Sequence, residues 1–156
     1  MPDTPVGPIA VVADGPSITG LYLGEPPEKV RDLPDANARD EPFATALRQL
    51  TAYFAGDLTE FDLPLSPAGT PFQHRVWAAL REIPFGETAS YGELAERIGS
   101  PTAARAVGAA NGRNPIGIVV PCHRVISSNG TLNGYAGGVD RKKALLALER
   151  EVLSNG

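Results

Sequence analysis

Ile118-Val119-Val120-Pro121-Cys122-His123-Arg124-Val125 holds the only cysteine of the chain, set after an apolar run and beside a histidine. The run reads as a buried strand that delivers Cys122. A lone thiol makes no internal disulfide, and too few soft ligands surround it for a zinc site. It is either a small buried hydrophobe or a nucleophile. Residue type favours the first, because free cysteines are among the most buried residues. His123 shifts the balance, since a thiol with a pKa of about 8.5 is only slightly ionised at neutral pH and needs a proton acceptor. On a continuing strand, neighbours point to opposite faces. His123 therefore reaches Cys122 only if the backbone turns after Pro121 or a water relays the proton. Its second ring nitrogen then needs an orienting group. Glu149 is the candidate, set amid the apolar stripe Leu145, Leu146, Leu148 and Val152 of a last helix capped by Asp140. From spacing alone, a solvated helix charge is an equal alternative for Glu149.

Moving upstream, Gly112-Arg113-Asn114-Pro115 is a turn, because Asn-Pro starts turns and the pre-proline residue avoids the helical region. Before it lie two short helices. Ser90-Tyr91-Gly92-Glu93 is a capping box that opens the first, which runs through Leu94, Ala95 and Ile98 to Gly99. The second, Ala103 to Ala110, is almost all Ala and Gly, with Arg105 as its one long side chain. Two short helices across a tight turn form a helix-turn-helix or a plain helical hairpin. A helix surface so low suits close approach to a shallow or narrow groove. Thr70-Pro71 caps an earlier helix whose Phe72, Val76, Trp77, Leu80 and Ile83 share one face. Trp77 and His74 on it read as core and as a partly exposed side chain.

The N-terminal part reads as a hairpin over 6–13 and 18–23 joined by Asp14-Gly15-Pro16-Ser17, then a loop over 24–42. A helix from Phe43 to Phe54 stopped by Gly56 follows, and Phe61, Leu63 and Leu65 alternate like a further strand. The fold class is α+β: a small sheet-plus-helix unit over 1–69, then a mostly helical unit over 70–156 carrying a winged-helix-like helix-turn-helix and the cysteine strand. Residues 1–89 hold 6 Lys+Arg against 13 Asp+Glu, and residues 90–156 hold 8 against 5. The half carrying Cys122 is basic, which fits a polyanion bound by one face. No apolar stretch is long enough to span a bilayer, and the N-terminus has no signal-peptide pattern. A cytoplasmic monomer with no membrane contact and no obligate protein partner is expected. The glycine-rich Gly130–Gly138 stretch lacks the Lys-Ser/Thr of a nucleotide loop and reads as a loop flanking a pocket.

Jointly, Pro121-Cys122-His123-Arg124-Val125, Ser90-Tyr91-Gly92, Ala104-Arg105-Ala106-Val107-Gly108, Asn114-Pro115 and Gly134-Tyr135-Ala136-Gly137-Gly138 resemble the 6-O-alkylguanine-DNA alkyltransferases. The match is close from about Thr70 to Glu149 and looser toward the N-terminal hairpin and Tyr53-Phe54-Ala55-Gly56. The resemblance implies direct, irreversible transfer of an alkyl group from guanine (and from 4-O-alkylthymine) to Cys122, with no cofactor and no metal. It implies a ribonuclease-H-like fold for the first unit. It further implies that His123 deprotonates Cys122 through a water, that Glu149 orients His123, and that Asn114 braces the recognition helix. Arg105 would enter the base stack of double-stranded DNA from the minor groove, and Tyr91 would assist flipping. The expected DNA-facing set is Arg105, Tyr91, Ala103, Ala104, Ala106, Gly108, Arg113 and Arg124. The pocket set is Val125, whose carbonyl and that of Cys122 would accept from the guanine amino group, with Tyr135, Ala136 and Gly137. Two departures stand out. Ala136 replaces a serine of some members, and Gly117 replaces a proline. Zinc-binding cysteines of certain relatives are also absent. The competing readings are a cysteine hydrolase, which would need an oxyanion hole, and a non-catalytic binder of alkylated DNA, which would not retain Cys122.

Overall fold

The computed structural model describes residues 1, 3–127 and 138–155. A hairpin opens the chain, with β1 (Ile9–Asp14) antiparallel to β2 (Ser17–Leu23). Asp14 pairs with Ser17, so Gly15 and Pro16 form the loop. Gly15 takes φ +60°, a value that only glycine adopts freely at the first position of a two-residue turn. The following segment is not all loop, since α1 (Glu28–Arg31) is a single turn within it. Next, α2 (Phe43–Phe54) buries Ala46, Leu50 and Tyr53 along one face. The expected strand through Phe61, Leu63 and Leu65 does not form a ladder. Only Leu65 bridges, to Ile18. Proline at 64 and 67 flanks it with residues that supply no N–H, so a continuous ladder has too few donors.

α3 (Pro71–Leu80) begins as expected, with Thr70 capping and Gln73 returning the bond to close a box. It buries Val76, Trp77, Ala79 and Leu80, and the Trp77 indole donates to the Ala110 carbonyl at 2.9 Å. Both ends of the Ser90–Glu93 box form, opening α4 (Tyr91–Arg97). α5 (Ala104–Gly112) follows after a turn that Arg75 pins through the Ile98 carbonyl at 2.7 Å. A two-residue parallel pair, β3 (Ala89–Ser90) with β4 (Val125–Ile126), ties the start of α4 to the cysteine segment. α6 (Val139–Asn155) closes the fold.

The apolar run before Cys122 is not a ladder strand. Its backbone bonds are spent locally: Val119 N–H on Gly117, Val120 on Ile116, and Cys122 on Val120. Only its start reaches a sheet, where β2 Leu21 donates to Pro115 and accepts from Gly117. Ile118 sits at φ +69°, a conformation that costs a β-branched side chain roughly 1–3 kcal/mol. It is held there by full burial. Asn114 organises the coil: its Oδ1 accepts from Ile116 N–H at 3.0 Å and its Nδ2 donates to Val120 at 2.8 Å. Among the described residues, no helix is long and apolar enough to cross a membrane.

Candidate active site

The backbone turns after Pro121 into a single 3-10 turn, Cys122–Arg124, with all three side chains buried. That turn takes His123 off the strand geometry and aims it at α6. His123 Nε2 lies 2.6 Å from Glu149 Oε2, both groups being fully buried. Glu149 also accepts from Arg124 Nε at 2.8 Å, Arg124 Nη2 at 3.1 Å, the Gly86 amide at 3.1 Å and the Tyr53 hydroxyl at 2.6 Å. Gly86 approaches because it takes φ +80° in the turn after α3, a conformation that favours glycine.

These contacts set the charges. Burial alone would raise the Glu149 carboxyl, but the His123 hydrogen bond and the Arg124 guanidinium outweigh it and hold it at about 2. Glu149 is thus an anion matched to Arg124. Burial pushes His123 down, and the hydrogen bond to Glu149 only partly opposes it, so the imidazole is neutral at rest. Nε2 then carries the proton donated to Glu149, leaving Nδ1 as the basic nitrogen, and Nδ1 has no hydrogen-bond partner among the described residues.

Burial also raises the Cys122 thiol, against the Asn114 carboxamide and the charge of Lys142. Cys122 is therefore a protonated thiol at neutral pH. Lys142 is completely buried, and its ammonium donates to the Val125 carbonyl at 2.5 Å. Its own pKa is lowered by burial and raised by Cys122. The carbonyl of Cys122 receives Asn111 Nδ2 at 3.5 Å. Lys142 and Asn111 were not among the expected site residues. A signal existed for Lys142, because it shares the α6 stripe with Leu145, Leu146 and Glu149 at three, four and seven residues.

Arg124 needs correction. It was expected to face DNA, but it is 6% exposed. Its guanidinium is committed to Glu149 and to the Ile83 carbonyl at 2.7 Å, and it stacks on Phe85. A side chain anchored inward at three points has no reach to a phosphate. Arg105 and Arg113, in contrast, are exposed and make no ion pair among the described residues. Ala103, Ala104 and Gly108 are half-buried, and Ala106 is exposed. Tyr91 is half-buried against Gly108, and its hydroxyl is raised by burial and by the charge of Cys122, which places it near the thiol. Val125 is fully buried. Tyr135, Ala136 and Gly137 lie outside the described residues. A groove of about 1070 Å³ has Cys122 in its lining, together with Asn114, Pro115 and Gly117, Leu21 and Tyr22 of β2, and Val30 of α1. Among the described residues, no three His, Cys, Asp or Glu side chains cluster to hold a metal ion.

Comparison with known proteins bears on this site. A family model for the DNA-binding domain of 6-O-methylguanine DNA methyltransferase matches residues 71–151, and one for its ribonuclease-like domain matches residues 2–67. A methylated-DNA–protein-cysteine methyltransferase of Mycobacterium bovis is 54% identical over 95% of this chain and 89% of its own. One from Methanosarcina acetivorans is 52% identical over 94% of each. The fold superposes on a crystal structure of Mycobacterium tuberculosis OGT in complex with DNA with a TM-score of 0.87, at 53% identity over 96% and 91% of the two chains.

Proposed function

This chain belongs to the 6-O-methylguanine DNA methyltransferase family, and from that premise we propose that Cys122 is the acceptor to which it moves an alkyl group from 6-O-alkylguanine in double-stranded DNA. The protein is a direct-reversal DNA repair protein acting in a single turnover. The observation that carries the site assignment is the buried His123–Glu149 pair next to Cys122 in the chain, in which His123 Nδ1 has no hydrogen-bond partner among the described residues. Residues 1–69 and 70–156 are proposed as its two units, which the spans of the two family matches support.

In the proposed step, His123 Nδ1 takes the Cys122 proton through one water, and Glu149 stabilises the imidazolium that forms. Lys142 and Asn114 stabilise the thiolate. Sulfur attacks the alkyl carbon: the S–C bond forms, the C–O6 bond breaks, and its electron pair passes into the guanine. A proton delivered to the guanine ring, with the Tyr91 hydroxyl as donor and His123 restoring it, leaves a neutral base. The thiol hydrogen is thereby exchanged for the alkyl group, and nothing regenerates the thiol.

The alkyl carbon is out of reach inside a duplex, so the base must be extruded at a cost of a few kcal/mol. The low, small-residue surface of α5 fits a minor-groove approach, and Arg105 is the side chain available to fill the gap. The Val125 carbonyl already holds Lys142, so a guanine amino group would use its second lone pair.

The test uses an oligonucleotide carrying one methylated guanine, followed by intact and peptide mass measurement. One methyl per protein, on the Cys122 peptide alone, is expected. Transfer persisting in Cys122→Ala would overturn the assignment.

A further inference from the structure

Tyr53 lies in the last turn of α2 in the first unit, yet its hydroxyl reaches the carboxylate of Glu149 on the last helix. The ring is wholly buried, edged by Phe54, Phe61 and Phe85 with centroids 5.3, 5.4 and 6.0 Å away. Its O–H donates to Glu149 Oε2 at 2.6 Å, the same oxygen that His123 Nε2 contacts at 2.6 Å. Hydrophobic packing accounts for the ring. It does not account for a hydroxyl directed at the carboxylate that bears on His123.

Two donors on one oxygen draw on the same negative charge. Arg124 and Gly86 bond mainly to Oε1, and Arg124 Nη2 touches Oε2 only at 3.1 Å. The phenol is therefore the uncharged donor that fixes Oε2 while damping the charge Oε2 presents to the imidazole. Among the described residues, the other charged groups that bear on the pair are Arg124 from the 3-10 turn and Lys142 from α6.

We propose that Tyr53 is a positioning residue for alkyl transfer, holding Glu149 Oε2 against His123 and limiting how strongly Glu149 stabilises the imidazolium. This rests on the reading of Cys122 as acceptor and His123 as its base. The first unit then contributes to the chemistry itself and does not merely pack against the site. Loss of the hydroxyl makes the imidazolium more favourable, so His123 protonates at higher pH. The acid limb of the rate profile, where the base is lost, moves up with it. A stronger phenolic donor moves the limb down.

The experiment compares wild-type protein, Tyr53→Phe and protein carrying a ring-fluorinated tyrosine at position 53. The rate of transfer from the free 6-O-benzylguanine base is followed against pH, with the Cys122 peptide mass read in the same samples. The expected result is an acid limb raised by about half a pH unit in Tyr53→Phe, and lowered in the fluorinated protein. The fluorinated side chain keeps the fold even where Tyr53→Phe does not. Benzylated Cys122 with an unmoved limb, or a uniform loss at every pH, overturns the role of Tyr53 and leaves the acceptor assignment standing. Absence of benzyl on Cys122 overturns the underlying reading and this inference with it.

Discussion

Arg124 and Arg105 are the same residue type in the same basic half of the chain, and they do opposite things. Arg124 is locked between a carboxylate, a backbone carbonyl and an aromatic ring. Arg105 is exposed on a helix rich in alanine and glycine and makes no ion pair among the described residues. A buried cation matched to one anion fixes a geometry, whereas an exposed unpaired cation is available to a ligand. The difference divides the molecule into a buried, paired cluster, which we assign to proton positioning, and an exposed surface, which we assign to DNA.

The division is broken most severely at Arg124. Arg124→Met leaves Glu149 buried without its counter-charge, and stability should fall by about 3–5 kcal/mol, read by chemical denaturation. Transfer from duplex and from free base should fall together. A stability loss below about 1 kcal/mol would show that the pair is not an interior anchor.

Acid comes next in size. The folded-state pKa of Glu149, about 2, lies below its ordinary 4.5. Its stabilising contribution is therefore complete above pH 4.5 and is lost as pH falls toward 2. The integrated effect is on the order of 3 kcal/mol. Denaturation curves across that range should show this slope in the wild type and not in Glu149→Gln, which starts less stable at neutral pH. Equal slopes would contradict the role given to Glu149.

The role of Lys142 predicts a smaller change. Lys142→Met removes the positive charge that opposes the burial of the Cys122 thiol, and alkylation at neutral pH should slow by about tenfold. The rate should recover as pH is raised and the thiol ionises directly. A deficit that stays constant with pH would limit Lys142 to its bond with Val125.

These contrasts also explain what the sequence could reveal. Capping chemistry is local, so Thr70, Ser90 and the small-residue α5 were legible from a few adjacent residues. The pairing of His123 with Glu149 was reachable because a carboxylate in an apolar stripe demands a partner. Lys142 lies on that same stripe, where a long aliphatic stem makes a lysine unremarkable at the edge of an apolar face. The bond from Tyr53 to Glu149 was not legible, because the helical periodicity that places the Tyr53 ring is silent on its hydroxyl. The run before Cys122 has the composition of a strand, but Asn114 and local turns consume its backbone groups, and only the tertiary contacts decide that. Arg124 was expected at DNA from the resemblance, and nothing in the sequence tells an inward guanidinium from an outward one.

Arg105→Ala carries the smallest stability effect, within about 0.5 kcal/mol of wild type, as for an exposed unpaired side chain. It also supports the most direct measurement: the ratio of transfer rate from methylated duplex DNA to transfer rate from the free alkylated base, in Arg105→Ala against wild type. The interior cluster is intact in this variant, so the free-base rate should be unchanged. The ratio should drop at least about tenfold, the equivalent of losing ~1.4 kcal/mol of support for the extruded base. Equal losses with both substrates would contradict the separation of DNA-facing surface from proton-setting interior.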